Sequence, residues 1–138
     1  MEKNMYTATC LCGEIHIEIN QQIDQIYICH CKACQKAQGG AFVAVATIST
    51  ENFQIKSGLE YLAEYYSSLN KKRVFCLKCA SHIYSARLDL PEVLRLRVGI
   101  IDQPLTAKIY SHAFIDEKAE WYEIHGDAQQ FQKQVIDE

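Results

Sequence analysis

The side chains in this sequence best suited to chemistry are its seven cysteines, which fall into three groups. They read Cys10-Leu11-Cys12-Gly13, then Cys29-His30-Cys31-Lys32-Ala33-Cys34, then Cys76-Leu77-Lys78-Cys79. Each cysteine lies two or three positions from another, the spacing at which one short turn aims several thiolates at a single metal ion. Four thiolates complete a tetrahedral zinc site, so seven are read as one closed site and one site with a coordination position left open. Cys10/Cys12 and Cys76/Cys79 are two bidentate units far apart in the chain. One zinc held by all four would staple the N-terminal strands to the middle of the chain and contribute to folding itself. Gly13 suits the tight turn after Cys12, because glycine takes a positive φ without cost. Cys29, Cys31 and Cys34 come from one short segment and leave a fourth direction for water or a substrate thiol, as catalytic zinc sites do. Spacing alone also allows Cys31/Cys34 to join Cys10/Cys12, leaving Cys29 free and Cys76/Cys79 short of partners.

The odd cysteine count argues against a complete disulfide framework. No segment is long and apolar enough to span a bilayer, and the N-terminus has no apolar stretch of the signal-peptide kind. A cytoplasmic location is therefore expected, where thiols stay reduced and cysteine pairs bind metal. The 138 residues, 49% of them hydrophobic, suit a single domain over 1–138. A net charge of −3, from 14 basic and 17 acidic residues, offers no footprint for nucleic acid or an anionic membrane. The one basic run, Lys71-Lys72-Arg73, reads as a solvated strand end.

The elements that must position the cysteines are mostly strands. Ile15, Ile17 and Ile19 alternate with Glu14, His16 and Glu18, the period of a half-buried strand. Gln25 to Cys29 is β-branched and aromatic and runs straight into the second cysteine group. Phe42 to Ile48, Phe53 to Ile55 and Tyr61 to Tyr66 follow, the last two separated by the turn signal Ser57-Gly58. Arg73 to Phe75 leads into Cys76, and His82 to Tyr84 leads out of Cys79. Val93 to Val98 has one apolar face, Leu94/Leu96/Val98. Lys32 to Gln38 is a short helix stopped by Gly39-Gly40, and Ala128 to Ile136 a candidate last helix capped by Asp127. The whole predicts a β-dominated sandwich pinned by metal.

His30, at a strand end, points away from Cys29 and Cys31 and is expected to pack or hydrogen-bond rather than ligate. His82 receives the same reading, and His16, His112 and His125 carry no signal. Gly39 and Gly40 suit equally a plain turn after a helix and a close backbone approach to a ligand near the open zinc, and Asp102 is read as turn chemistry before Pro104 rather than as a residue near the site. Arg73 is read as a surface arginine able to pair with a carboxylate, and Trp121 and the tyrosines as core and rim.

These motifs together resemble the glutathione-dependent formaldehyde-activating enzyme (Gfa) family. The resemblance runs from about Thr9 to Phe131. It rests on Cys10-x-Cys12-Gly13, on Cys29-His30-Cys31-x-x-Cys34 continuing through Gln35-Lys36-Ala37-Gln38-Gly39-Gly40-Ala41-Phe42, and on Arg73-x-Phe75-Cys76-x-x-Cys79. Val98-Gly99-Ile100-Ile101-Asp102-Gln103-Pro104, Trp121, Gly126-Asp127 and Phe131 extend it. The resemblance implies a β-tent fold of small antiparallel sheets organised around zinc, with one or two short helices. It implies two zinc ions: a structural one on Cys10, Cys12, Cys76 and Cys79, and a labile catalytic one on Cys29, Cys31 and Cys34. It implies a carbon–sulfur lyase acting on glutathione and formaldehyde, or on a related adduct. The alternative is a zinc module or glutathione carrier without turnover. One departure stands out: the family usually has glycine after the last cysteine, where this chain has Ala80, and a positive φ there would cost about 1 kcal/mol.

Overall fold

The structure is a computed structural model that describes residues 5–134. The strands in chain order are β1 (Tyr6–Thr9), β2 (His16–Ile19), β3 (Gln25–Cys29), β4 (Val43–Ser49), β5 (Phe53–Ser57), β6 (Leu62–Ser68), β7 (Lys71–Cys76), β8 (His82–Arg87), β9 (Val93–Arg97), β10 (Lys108–Ala113) and β11 (Gln129–Gln130). The α-helix among the described residues is α1 (Lys32–Gln38), and short 3-10 turns occupy Thr50–Asn52, Leu59–Tyr61, Val98–Ile100 and Ile115–Glu117. The chain is mainly β, as its period-two patterning predicts. It divides into two compact units, one containing residues up to 23 and 46–105, the other 24–45 and residues from 106.

The first unit contains an antiparallel sheet in the order β1-β2-β5 and the succession β9-β8-β7-β6 beside residues 46–49 of β4, whose residues 43–45 belong to the second unit. Its core shows how alternation selects a face. Ile17 and Ile19 are buried while His16, the first residue of β2, is exposed, and Ile15, Ile48, Val74 and Leu96 are equally sealed. Each such side chain stabilises the fold by roughly 1.5–3 kcal/mol through the water it sheds. Gly58 is obligatory here: its φ is +88°, and a Cβ would meet the Glu14 carbonyl oxygen at 2.3 Å. That close approach lets the turn before β6 pass the backbone leading from the Cys10-Cys12 turn into β2.

Two sequence readings are corrected in this unit. Asp102 does not serve a local turn; its carboxylate accepts from the Thr7 and Thr9 hydroxyls at 2.8 and 2.7 Å and clasps β1, which the sequence did not reveal. Arg73 is not at the surface: it is only 6% exposed, because it lies in mid-strand on β7 rather than at a frayed end.

In the second unit β3 pairs antiparallel with β4 and parallel with β10, and β11 adds parallel to β10. The pairing is therefore mixed, where antiparallel sheets alone were expected. A parallel pair needs a long connection, and the chain between β3 and β10 includes the 46–105 stretch of the first unit. Immediately after β3 the chain turns into α1. Cys31 caps that helix, and Gly39 ends it in the left-handed region at φ 70°, its N–H donating to the Gln35 carbonyl at 2.7 Å. The helix expected over 128–136 does not form within the described residues: 129–130 is strand β11, and 135–136 lie outside them. The Phe131 N–H instead bonds the His112 carbonyl at 2.8 Å, so pairing with β10 overrides local helix propensity.

Candidate metal centres

Cys10, Cys12, Cys76 and Cys79 lie together in the first unit with their sulfurs within 4.8 Å of one another. Cys10 and Cys12 sit in the turn joining β1 to β2; Cys76 ends β7, and Cys79 closes the turn toward β8. The Cys10–Cys12 sulfurs are 3.6 Å apart and the Cys12–Cys76 sulfurs 3.8 Å. A tetrahedron of sulfurs 2.3 Å from a central zinc has edges of about 3.8 Å, so this spacing fits that ion. It is far beyond the roughly 2 Å of a disulfide, and none of the seven cysteines is in a disulfide.

Backbone N–H groups aim at these sulfurs, as suits thiolates. Ile15 donates to Cys10 Sγ at 3.3 Å, and Cys79 donates to Cys76 Sγ at 3.5 Å. The Leu11 N–H bonds the Ser81 hydroxyl at 2.8 Å and ties the two turns together. Ala80 holds the turn with φ 69°. The position after the last cysteine does adopt a positive φ, on a residue with a Cβ.

Cys29, Cys31 and Cys34 lie together in the second unit, again with all sulfurs within 4.8 Å. The structure thus groups the cysteines four and three, and does not place Cys31 and Cys34 with Cys10 and Cys12. Cys29 ends β3, Cys31 is the N-cap of α1, and Cys34 is in its first turn. The Cys34 N–H donates to Cys31 Sγ at 3.3 Å, the same bond that links the ends of the Cys76-x-x-Cys79 turn. Cys34 is buried against Val43 and Val45, with Tyr27, Cys29 and Cys31 packed alongside. Cys29 and Cys31 are only partly covered.

Crowded thiols cannot all ionise without a counter-charge. Hydrogen bonds from Cys31 and Cys34, together with burial, push the Cys29 thiol far up. In the other group, burial would raise Cys79, but the Ser81 hydroxyl and backbone, the Cys12 backbone and the Cys76 thiol draw it down to about 5. Cys12 is pushed up to about 12: the Glu14 backbone lowers it, while burial and the neighbouring thiols raise it more. A divalent cation would supply the missing charge, and both groups could hold a metal ion.

His30 is fully buried and belongs to neither group. Its Nε2 lies 2.9 Å from His112 Nδ1, and the two rings stack at 5.1 Å. Phe42 and Tyr122 enclose it, with centroids at 5.7 and 6.1 Å. Burial, then the charges of His112 and Lys118, lower His30 to about 4, and burial lowers His112 as well. Both are neutral imidazoles at neutral pH, one donating to the other. His30 therefore packs and hydrogen-bonds, as expected from its place at the end of β3. His112 is the residue the sequence missed: on β10 it is 5% exposed, yet Lys108-Ile109-Tyr110-Ser111-His112 has no clean alternation to announce it.

Gln35 secures the helix beneath the three thiols. Its Nε2 donates to the His30 carbonyl at 2.7 Å and to the Glu117 carbonyl at 2.9 Å. The Glu117 carboxylate accepts from the Lys32 N–H at 2.8 Å, a bond that fixes the start of α1. His82 faces Phe75 at 6.4 Å, His16 is exposed, and His125 pairs with Glu123 at the surface. Trp121, expected in core or rim, is 75% exposed, and its neighbour Tyr122 does the packing against Phe42.

Among the described residues, no helix is long and apolar enough to cross a membrane. The family described as glutathione-dependent formaldehyde-activating enzyme matches residues 5–117. A protein of Schizosaccharomyces pombe named an uncharacterized lyase is 28% identical over 81 residues, 59% of this chain and 57% of that protein. The chain thus spans a little over half the length of that relative. A crystal structure of a Rhodobacter sphaeroides protein superimposes with a TM-score of 0.61 at 23% identity, covering 72% of this chain and 91% of the other, a likeness of fold. With its cysteines grouped four and three on a mainly β frame, the chain belongs to the glutathione-dependent formaldehyde-activating enzyme family.

Proposed function

We propose that this protein is a zinc-dependent carbon–sulfur lyase whose reaction centre is Cys29, Cys31 and Cys34, acting on the adduct of glutathione with formaldehyde or a related small carbonyl. The observation that carries the reading is the incomplete set: three sulfurs converge within 4.8 Å, with no fourth His, Cys, Asp or Glu of the described residues grouped with them. Zinc held there would keep one coordination position open and lower the pKa of a thiol brought to it. In the forward direction the thiol sulfur bonds to the carbonyl carbon, and the thiol proton ends on the former carbonyl oxygen; the lyase direction reverses both.

The chain's own residues set up this chemistry by holding three sulfurs on rigid elements, where a bound cation would let them ionise together. Cys29 is fixed by the β3–β4 ladder, Cys31 and Cys34 by the first turn of α1, and that turn by Gln35 and Glu117. Cys29 and Cys31 keep partial access to solvent, the side from which a substrate thiol would come. His30 is neutral and bonded to His112, so it neither competes for the metal nor adds charge behind it. Cys10, Cys12, Cys76 and Cys79 form a complete set and act as the staple of the first unit. A cytoplasmic setting, where thiols stay reduced, suits both groups.

The test is exchange spectroscopy by nuclear magnetic resonance on glutathione and formaldehyde, with zinc-loaded protein. Faster adduct formation and breakdown than in buffer, lost in Cys31→Ser with the fold intact, supports the reading. Zinc and glutathione binding without acceleration would make the protein a carrier or a scaffold instead.

A further inference from the structure

Arg73 is charged, buried and unpartnered. It is 6% exposed, its Nη1 has no hydrogen-bond partner, and none of the ion pairs among the described residues engages it. A guanidinium cannot relieve burial by losing a proton, and a buried charge without a counter-charge is strongly destabilising. The position therefore calls for an anion.

The surroundings agree. Arg73 on β7 lies directly opposite Ser85 on β8, and Ser85 opposite Arg95 on β9. Arg97, two residues beyond Arg95, shares the same face of these strands. It is 5% exposed, and its Nη1 donates to the Ser85 hydroxyl at 3.0 Å. Lys71 and Arg87, paired across β7 and β8, continue the basic face. Alternation places Lys71, Arg73, Ser85, Arg87, Arg95 and Arg97 on this side of β7, β8 and β9, and no Asp or Glu of those strands joins them. Asp89, just past β8, is engaged by Arg87 at 2.8 Å. In a chain of net charge −3 this is a local reversal of sign.

We propose that Arg73, Ser85 and Arg97 form a binding site for a small oxyanion, the carboxylate or phosphate group of a metabolite-sized ligand, with the exposed Arg95 at its edge. The guanidinium fork of Arg73 matches two oxygens of such a group. Ser85 accepts from Arg97 with a lone pair, which leaves its single O–H to donate to the anion. The site belongs to the first unit, uses none of the cysteines, and stands whether or not the lyase reading holds.

The experiment is a titration of zinc-loaded protein, labelled with nitrogen-15 at arginine, followed at the Nε–H resonances. Sodium phosphate and sodium acetate are the probes, with sodium chloride at matched ionic strength as control. Saturating shifts at Arg73 and Arg97 with phosphate or acetate, absent with chloride, support the site, and the probe that saturates at lower concentration identifies the group. Arg73→Lys keeps the charge but loses the fork and should weaken binding about tenfold; Arg73→Met should abolish the saturable response at Arg97. Shifts that rise linearly and equally in all three salts, or an Arg97 response that survives in Arg73→Lys at wild-type affinity, would overturn the proposal. If Arg73→Met fails to fold, the wild-type and Arg73→Lys titrations decide.

Discussion

Replacing Ala80 by glycine should stabilise this protein. Ala80 is held at φ 69°, one of two non-glycine residues with positive φ among those described. The turn cannot relax out of that conformation, because it is bonded on both sides: Ala80 N–H donates to the Cys76 carbonyl at 2.7 Å, and Cys76 N–H to the Ser81 carbonyl at 2.9 Å. The alanine methyl is exposed, so removing it forfeits no packing. A side-chain-bearing residue in the left-handed region costs roughly 1–2 kcal/mol. Glycine removes that cost and gives back about 0.5–1 kcal/mol through the greater freedom of the unfolded chain. The net is a gain of about 1 kcal/mol, or a rise in melting temperature of about 4 °C for a chain of this size. The assay is thermal and urea unfolding of wild type and Ala80→Gly, with zinc content equalised by elemental analysis. An unchanged or lowered stability at equal zinc content would refute the reasoning, by showing that the knuckle carries no backbone strain.

Three further outcomes are expected. Cys31→Ser should lower zinc stoichiometry from two to one with far-ultraviolet circular dichroism unchanged, whereas Cys76→Ser should lose the fold along with the metal; the same elemental analysis and spectra check both. Gln35→Leu leaves the His30 and Glu117 carbonyls without their shared donor and should cost about 1–3 kcal/mol in urea unfolding. Acid should weaken the fold through His30, whose value of about 4 in the folded chain lies below the ordinary 6.5. Above pH 6.5 both states are neutral and nothing is lost; as pH falls from 6.5 toward 4 the unfolded chain takes up a proton that the folded one refuses. The loss at pH 5 is about 2 kcal/mol. His30→Gln should remove that share of the pH dependence, and an identical slope in wild type and variant between pH 7 and 5 would contradict it.

Much of the candidate site was legible because its cysteines are local. Cys29, Cys31 and Cys34 fit one helix turn after one strand, and the bounds of β3 and α1 follow from β-branched residues, helix formers and glycines close at hand. The strands with clean alternation, β2 and β9, were equally readable, since their buried face is written every second residue. Where partners are distant the sequence was silent or misleading. Residues 128–136 read as helix former by former, but 129–131 bond to β10, which no local pattern announces. Arg73 read as the end of a basic run, because burial of its strand depends on neighbours contributed by β6 and β8.

By itself, then, the sequence determined the donor chemistry on offer: which cysteines pair at turn spacing, and that seven thiols exceed one tetrahedral site. These are consequences of residue type and short spacing, which act over a few bonds. Only the tertiary structure decided that the cysteines divide four and three, that His112 backs His30, and that Arg73 and Arg97 converge on Ser85. Those facts depend on contacts between residues separated by up to about 80 positions, such as His30 and His112. They follow from how strands register side by side, which hydrophobic burial selects for the chain as a whole.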